Sequence, residues 1–258
     1  MPSQHQTAIV TGASRGIGRA IALKAAAAGY HICVNYARNE AAAADVVAAI
    51  ERAGGHARAV QADVSREADI LRLFEAADRE LPPLGALINN AGIVAPPARV
   101  DQMDHARLER MFTTNITGPF LCAREAVKRL STKYGGAGGV IVNLSSVAAK
   151  LGSANEYVDY AASKAAIDTL TKGLAMEVAE EGIRVNAVRP GVIRTEIHAS
   201  GGQPDRVDRV KAMVPMRRGG EAEEVADVVL WLMSPQSSYV TGSFRRAVAN
   251  PYRIRSTL

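Results

Sequence analysis

Tyr160 and Lys164 stand four residues apart in the segment Tyr157-Val158-Asp159-Tyr160-Ala161-Ala162-Ser163-Lys164. In a helix that spacing puts both side chains on one face. Tyr157 is paired at the same spacing with Ala161 and has no cation, which selects Tyr160 as the candidate acid/base. A free tyrosine has a pKa near 10 and is poorly matched to proton transfer at neutral pH. A poorly hydrated ammonium beside it favours the phenolate, and lowering the pKa by roughly three units would take about 4 kcal/mol of preferential stabilisation of the charged form. Alone, the spacing recurs often as a surface pair, so its meaning rests on what accompanies it.

Upstream, Val140-Ile141-Val142-Asn143-Leu144-Ser145-Ser146 reads as a strand ending in two hydroxyls. Near the amino end, Thr11-Gly12-Ala13-Ser14-Arg15-Gly16-Ile17-Gly18 follows an apolar run and precedes a helical one. Strand, glycine turn and helix are the parts of a phosphate cradle: glycines permit a tight turn and close backbone approach, and free N–H groups with the helix dipole favour a pyrophosphate. The spacing differs from the ordinary G-x-G-x-x-G fingerprint, because Ile21 stands where its third glycine would be. An NAD site would place a carboxylate at the end of the second strand, but Val34-Asn35-Tyr36-Ala37-Arg38 has none. Arg15 and Arg38 can instead bracket a 2′-phosphate, so NADP(H) is expected in preference to NAD(H).

The T-G-x-x-x-G-x-G turn, Asn89-Asn90-Ala91-Gly92, the serine-ended strand and Y-x-x-x-K together resemble the short-chain dehydrogenase/reductase (SDR) family, over about residues 7 to 243. The resemblance implies a catalytic set of Asn115, Ser146, Tyr160 and Lys164, with Asn115 holding a water that links the lysine to a proton relay. Ser145 stays open as the alternative serine. It also implies cofactor contacts from Gly12, Ser14, Arg15, Gly16, Ile17 and Gly18 in the turn, and from Asn35, Tyr36 and Arg38 after the second strand. Asp63 and Val64, then Asn89, Ala91 and Gly92, follow the third and fourth strands. Pro190, Gly191, Ile193 and Thr195 complete the set, with Lys164 on the nicotinamide ribose. The implied reaction is interconversion of a small-molecule carbonyl and a secondary alcohol by hydride transfer, with Tyr160 moving the proton and no metal. Within the family a 3-oxoacyl-carrier-protein reductase and a sugar or polyol dehydrogenase look similar; outside it stands an NADP-binding sensor without turnover.

The elements that must position these groups are legible as short Val- and Ile-rich runs alternating with longer helical stretches, the pattern of βαβ units. Strands are expected at residues 7–10, 31–35, 57–61, 86–89, 140–144 and 183–188, and a seventh near 243–248. Most lack polar alternation, so both faces should be covered by helices, in one α/β, Rossmann-like, doubly wound parallel sheet. At 258 residues with 48% hydrophobic content, one large domain is expected, residues 1–244, with a substrate lid at about 194–218 in a stretch that holds Gly201-Gly202, Pro204, Pro215 and Gly219-Gly220. Cys33 and Cys122 lack disulfide or metal spacing and read as core thiols.

The formal charge of +5 is uneven: setting aside Arg245, Arg246, Arg253 and Arg255 leaves 27 basic residues against 26 acidic. Residues 245–258 therefore form a basic tail that departs from the family's apolar ending and puts two arginines where a buried strand needs apolar residues. No nucleic-acid partner is expected, since no aromatic platform accompanies the charge. With no apolar signal segment or membrane-length run, a cytoplasmic protein is expected. The resemblance adds a homo-oligomer, tetramer or dimer, whose interface near residues 221–233 the altered tail would weaken.

Overall fold

A computed structural model describes residues 6–247. Seven parallel strands form one sheet: β1 (Thr7–Val10), β2 (His31–Tyr36), β3 (Ala57–Gln61), β4 (Leu84–Asn89), β5 (Gly139–Leu144), β6 (Ile183–Pro190) and β7 (Phe244–Ala247), in the order β3-β2-β1-β4-β5-β6-β7. The order reverses between β1 and β4, so the crevice at their carboxyl ends is the place where an open sheet of this kind takes a ligand. The main covering helices are α1 (Gly16–Ala27), α2 (Glu40–Arg52), α3 (Glu67–Glu80), α4 (His105–Phe112), α5 (Gly118–Leu130), α7 (Val158–Glu177) and α10 (Ala222–Met233). Three short helices border the crevice: α6 (Ala148–Leu151), α8 (Ile197–Ser200) and α9 (Arg206–Val210).

Two separate cores explain the unbroken apolar strands. Along β1, Ala8 and Val10 enter the core shared with α1, α2 and α10, while Ile9 between them enters the one shared with α3, α5 and α7. Because side chains alternate across a strand, burial on both faces removes any need for polar positions. Cys33 and Cys122 are both buried in the second core, and burial pushes their thiols up to about 12.

The seventh strand forms despite its two arginines. β7 is an edge strand, Arg245 and Arg246 are exposed, and Arg245 lies over the Trp231 ring at 5.1 Å. The expected charge conflict does not arise because an edge strand leaves room for long side chains to reach water. Residues 248–258, the rest of the basic tail, lie outside the described residues.

Candidate active site

The glycine turn between β1 and α1 is built for close approach. Gly12 has φ +62, and a Cβ at Gly18 would stand 2.4 Å from the Gly12 carbonyl oxygen and 2.5 Å from Asn90 Nδ2, so only glycine fits there. Asn90 clamps the turn: its Nδ2 donates to the Thr11 and Gly12 carbonyls at 2.8 and 3.1 Å, and its own N–H donates to Thr11 Oγ1 at 2.9 Å. Asn35 braces it from below, accepting from Gly12 N–H at 3.1 Å through Oδ1 while Nδ2 donates to the Ala62 carbonyl at 3.0 Å. No side chain caps α1, leaving the first-turn N–H groups to face the crevice.

Arg15 and Arg38 are both exposed, and among the described residues neither has an ion-pair partner. Several other expected contacts are turned to structural work. The Asp63 carboxylate accepts from the Ser65 N–H and hydroxyl at 2.9 and 2.7 Å, closing the turn before α3. Val64 packs in the second core, and Tyr36 is buried. The Asn89 amide donates to Asn143 Oδ1 at 3.0 Å, within a buried chain that continues from Asn143 to Thr171.

At the chemical end, α7 begins just after Tyr157, so Tyr160 lies in its first turn and Lys164 in the next. Tyr160 and Ser146 line the same cavity, and the Lys164 ammonium lies 5.7 Å from the Tyr160 ring centroid. Lys164 Nζ donates to the Leu144 carbonyl at 2.8 Å. Burial pushes this lysine down to about 8, opposed by the charge of Asp168. Burial raises the pKa of the Tyr160 phenol, and the opposing influence comes from the Ser146 hydroxyl.

The two serines divide cleanly. Ser146 faces Tyr160, whereas Ser145 Oγ donates to Asp168 Oδ1 at 2.8 Å and to the Lys164 carbonyl at 3.1 Å. Asp168 in turn receives Arg189 Nη2 at 2.8 Å and Nε at 3.1 Å, so a buried ion pair holds α7 against β6 one turn beyond the lysine. Asn115 sits in a five-residue π-helical stretch, Thr113–Thr117, between α4 and α5, and is fully buried. Its Oδ1 accepts from Ile93 N–H at 2.8 Å and its Nδ2 donates to the Ile93 carbonyl and to Ser163 Oγ at 2.9 and 3.2 Å. Gly92 brings it to the lysine: a Cβ there would lie 3.4 Å from Asn115 Oδ1 and 3.5 Å from Lys164 Nζ. A wider turn within a helix is a device that functional sites use repeatedly.

One cavity joins the two ends. Ile17, Asn90 and Gly92 line it from the glycine turn and β4, Ser146, Tyr160 and Lys164 from the chemical wall, and Pro190, Gly191, Ile193 and Thr195 from the end of β6. Residues 194–218 form its other wall as short helices in place of a plain loop. Tyr157 also lines the cavity and does have a cation, supplied by another element: Arg206 of α9 lies over its ring at 4.9 Å and bonds the Glu156 carboxylate at 2.9 and 2.8 Å. The sequence carried no signal for this contact, since 50 residues separate the partners.

A doubly wound parallel sheet, a glycine turn clamped to the fourth strand and a serine–tyrosine–lysine wall define an oxidoreductase of the dinucleotide-using kind. The family model described as enoyl-(acyl carrier protein) reductase matches residues 12–245. The chain belongs to the short-chain dehydrogenase/reductase family, whose members use NAD(P)(H). It is 59% identical over 237 residues to an uncharacterized oxidoreductase, YgfF, of Escherichia coli K12, spanning 92% of this chain and 96% of that one. It is 41% identical to 3beta-hydroxysteroid dehydrogenase 1 of Eggerthella lenta over 92% of this chain and 90% of that one. Among solved structures, the angucycline C-6 ketoreductase LanV with bound NADP superimposes with a TM-score of 0.87 at 32% identity, covering 95% of each chain. Among the described residues no helix is long and apolar enough to cross a membrane.

Proposed function

We propose that the protein is an NADP(H)-dependent reductase that interconverts a ketone and a secondary alcohol, with Tyr160 as the general acid/base. The observation that carries this reading is the convergence of Ser146, Tyr160 and Lys164 on the cavity that the glycine turn also lines, with the Lys164 ammonium 5.7 Å from the Tyr160 ring centroid. The residues fit a dinucleotide: Gly12 turns the chain at φ +62, the uncapped start of α1 offers main-chain donors to a pyrophosphate, and Arg15 and Arg38 stand exposed where a 2′-phosphate needs cations. The NADP bound by the similar ketoreductase LanV supports the same preference. Gly12, Ser14, Gly16, Ile17 and Gly18 would hold the phosphates, and Pro190, Gly191, Ile193 and Thr195 the nicotinamide end.

When bound, the nicotinamide supplies the hydride for reduction or accepts it in oxidation. In reduction, Ser146 donates a hydrogen bond to the substrate oxygen and Tyr160 gives it a proton, so hydride and proton together convert the ketone to the alcohol. Lys164, held on the Leu144 carbonyl, keeps a positive charge beside the tyrosine below about pH 8 and favours its phenolate as the proton leaves. Ser145 and Asp168 position the lysine, and Asn115 fixes the Ile93 backbone beside it.

Of Lys128, Arg129 and Lys133, the basic residues that could dock a carrier-protein substrate, two are already paired. Lys128 and Arg129 are paired to Glu125, and Arg129 also to Asp78. The test is NADPH oxidation across ketones, aldehydes, sugars and acyl thioesters. Turnover of a ketone with NADPH, at least tenfold above that with NADH, is expected; equal use of NADH would overturn the cofactor assignment.

A further inference from the structure

We infer that the cavity selects an uncharged, apolar ketone, and that the Glu156–Arg206 pair sets this selectivity by neutralising the cation on the lid wall. The inference rests on the carbonyl-reducing reading above and names the substrate class for that site. Beyond the reacting residues, the wall is made of Val94, Leu151, Ile197, Val210, Met213 and Val214. Leu151 and Met213 are 39% and 55% exposed, so an apolar surface marks the mouth as well as the interior.

The polar groups on that wall are largely spent. Asn90 is consumed by the glycine turn, and Ser145 by Asp168 and the Lys164 carbonyl. His198 Nε2 lies 2.9 Å from the Ile193 carbonyl, and burial lowers its pKa, leaving a neutral ring at pH 7. Ser153 contributes one hydroxyl near the rim and Thr195 one at the cofactor end. Arg206 is the one cation of the lid that lines the cavity, and both its Nη atoms bond the Glu156 carboxylate. Glu156 is held ionised, its carboxyl pushed below the ordinary range chiefly by that bond. Nearby Arg209 is exposed and does not line the cavity. A carboxylate-bearing substrate therefore meets a cation already matched, and a polyhydroxylated one meets few groups able to replace the water it gives up.

The test compares kcat/KM, with NADPH, for 1-tetralone, a tetralone carrying a ring carboxylate, and dihydroxyacetone. The native enzyme should favour tetralone over both others by at least 100-fold. Glu156→Gln should narrow the tetralone-to-carboxylate ratio at least tenfold, mainly through a lower KM for the acid, while Glu156→Asp should keep the native ratio. Met213→Asp, at the exposed mouth, supplies a second route should Glu156→Gln fail to fold: it should lower kcat/KM for tetralone at least tenfold more than that for dihydroxyacetone. A native preference for the acid or the triose, or a ratio unmoved in Glu156→Gln with tetralone unaffected by Met213→Asp, would overturn the inference. In that event ketone turnover abolished by Tyr160→Phe leaves the carbonyl-reducing reading standing; no turnover of any ketone would sink both.

Discussion

On the α7 side of the cavity polar side chains are tied into buried partners, Lys164 to the Leu144 carbonyl and Asp168 to Ser145 and Arg189, whereas several pairs that hold residues 194–218 opposite are exposed. Arg194 reaches Asp208 at 3.7 Å and Glu221 at 3.5 Å, and Arg218 reaches Glu224 at 2.6 Å. Buried bonds in a low-dielectric interior fix geometry, and exposed pairs between flexible side chains contribute little. The contrast separates two tasks. Proton transfer needs atoms held in place, while admission of a substrate needs a wall whose opening costs little.

If the contrast is right, removing a buried partner on the chemical wall should have the largest effect. Asp168→Ala strands Arg189 in a 9% exposed site and should lower the unfolding free energy by about 3–5 kcal/mol, read from urea denaturation. A change below about 1 kcal/mol would show that this wall is no stiffer than the one opposite.

The next effect is a pH dependence. Burial holds the Lys164 pKa at about 8 against 10.5 in the unfolded chain, so between those values the unfolded state carries the extra proton and stability rises with pH. Relative to Lys164→Met, the native protein should gain about 2 kcal/mol between pH 7.5 and 9.5. Tyr160, raised by burial, acts in the opposite sense only above about pH 10, outside that window. Parallel curves for the two proteins would contradict the account.

At the nucleotide end, Arg38→Ala should raise the KM for NADPH about tenfold, the worth of one charge-assisted contact, and leave that for NADH within about twofold. On the opposite wall, Arg218→Ala should move Tm by no more than about 2 °C, because both partners of its pair are exposed. A larger shift there would erase the distinction between the walls.

The strands could be read because burial on both faces left runs such as Val140-Ile141-Val142 without polar interruption, and the glycine turn because its backbone allows few other residues. Tyr160 and Lys164 were legible because helix spacing is a local rule. Asp168–Arg189 and Glu156–Arg206 join residues 21 and 50 positions apart on different elements, and no periodicity encodes such meetings. Asn90 was within reach, since it lies inside the Asn89–Gly92 motif, but which of two adjacent asparagines turns toward Thr11 depends on the pleat at the end of β4. The upward shift of Tyr160 was illegible because helix spacing gives the lysine's direction but not how far burial strips water from the phenol.

The central claim is that Tyr160 moves the proton while Ser146 and Lys164 only assist. Single-turnover reduction of a ketone by NADPH, comparing the native protein with Tyr160→Phe at equal cofactor occupancy, tests it most directly. The account predicts a rate lower by about 10²–10⁴-fold in the variant, with cofactor affinity within about twofold of native; an unchanged rate would contradict it.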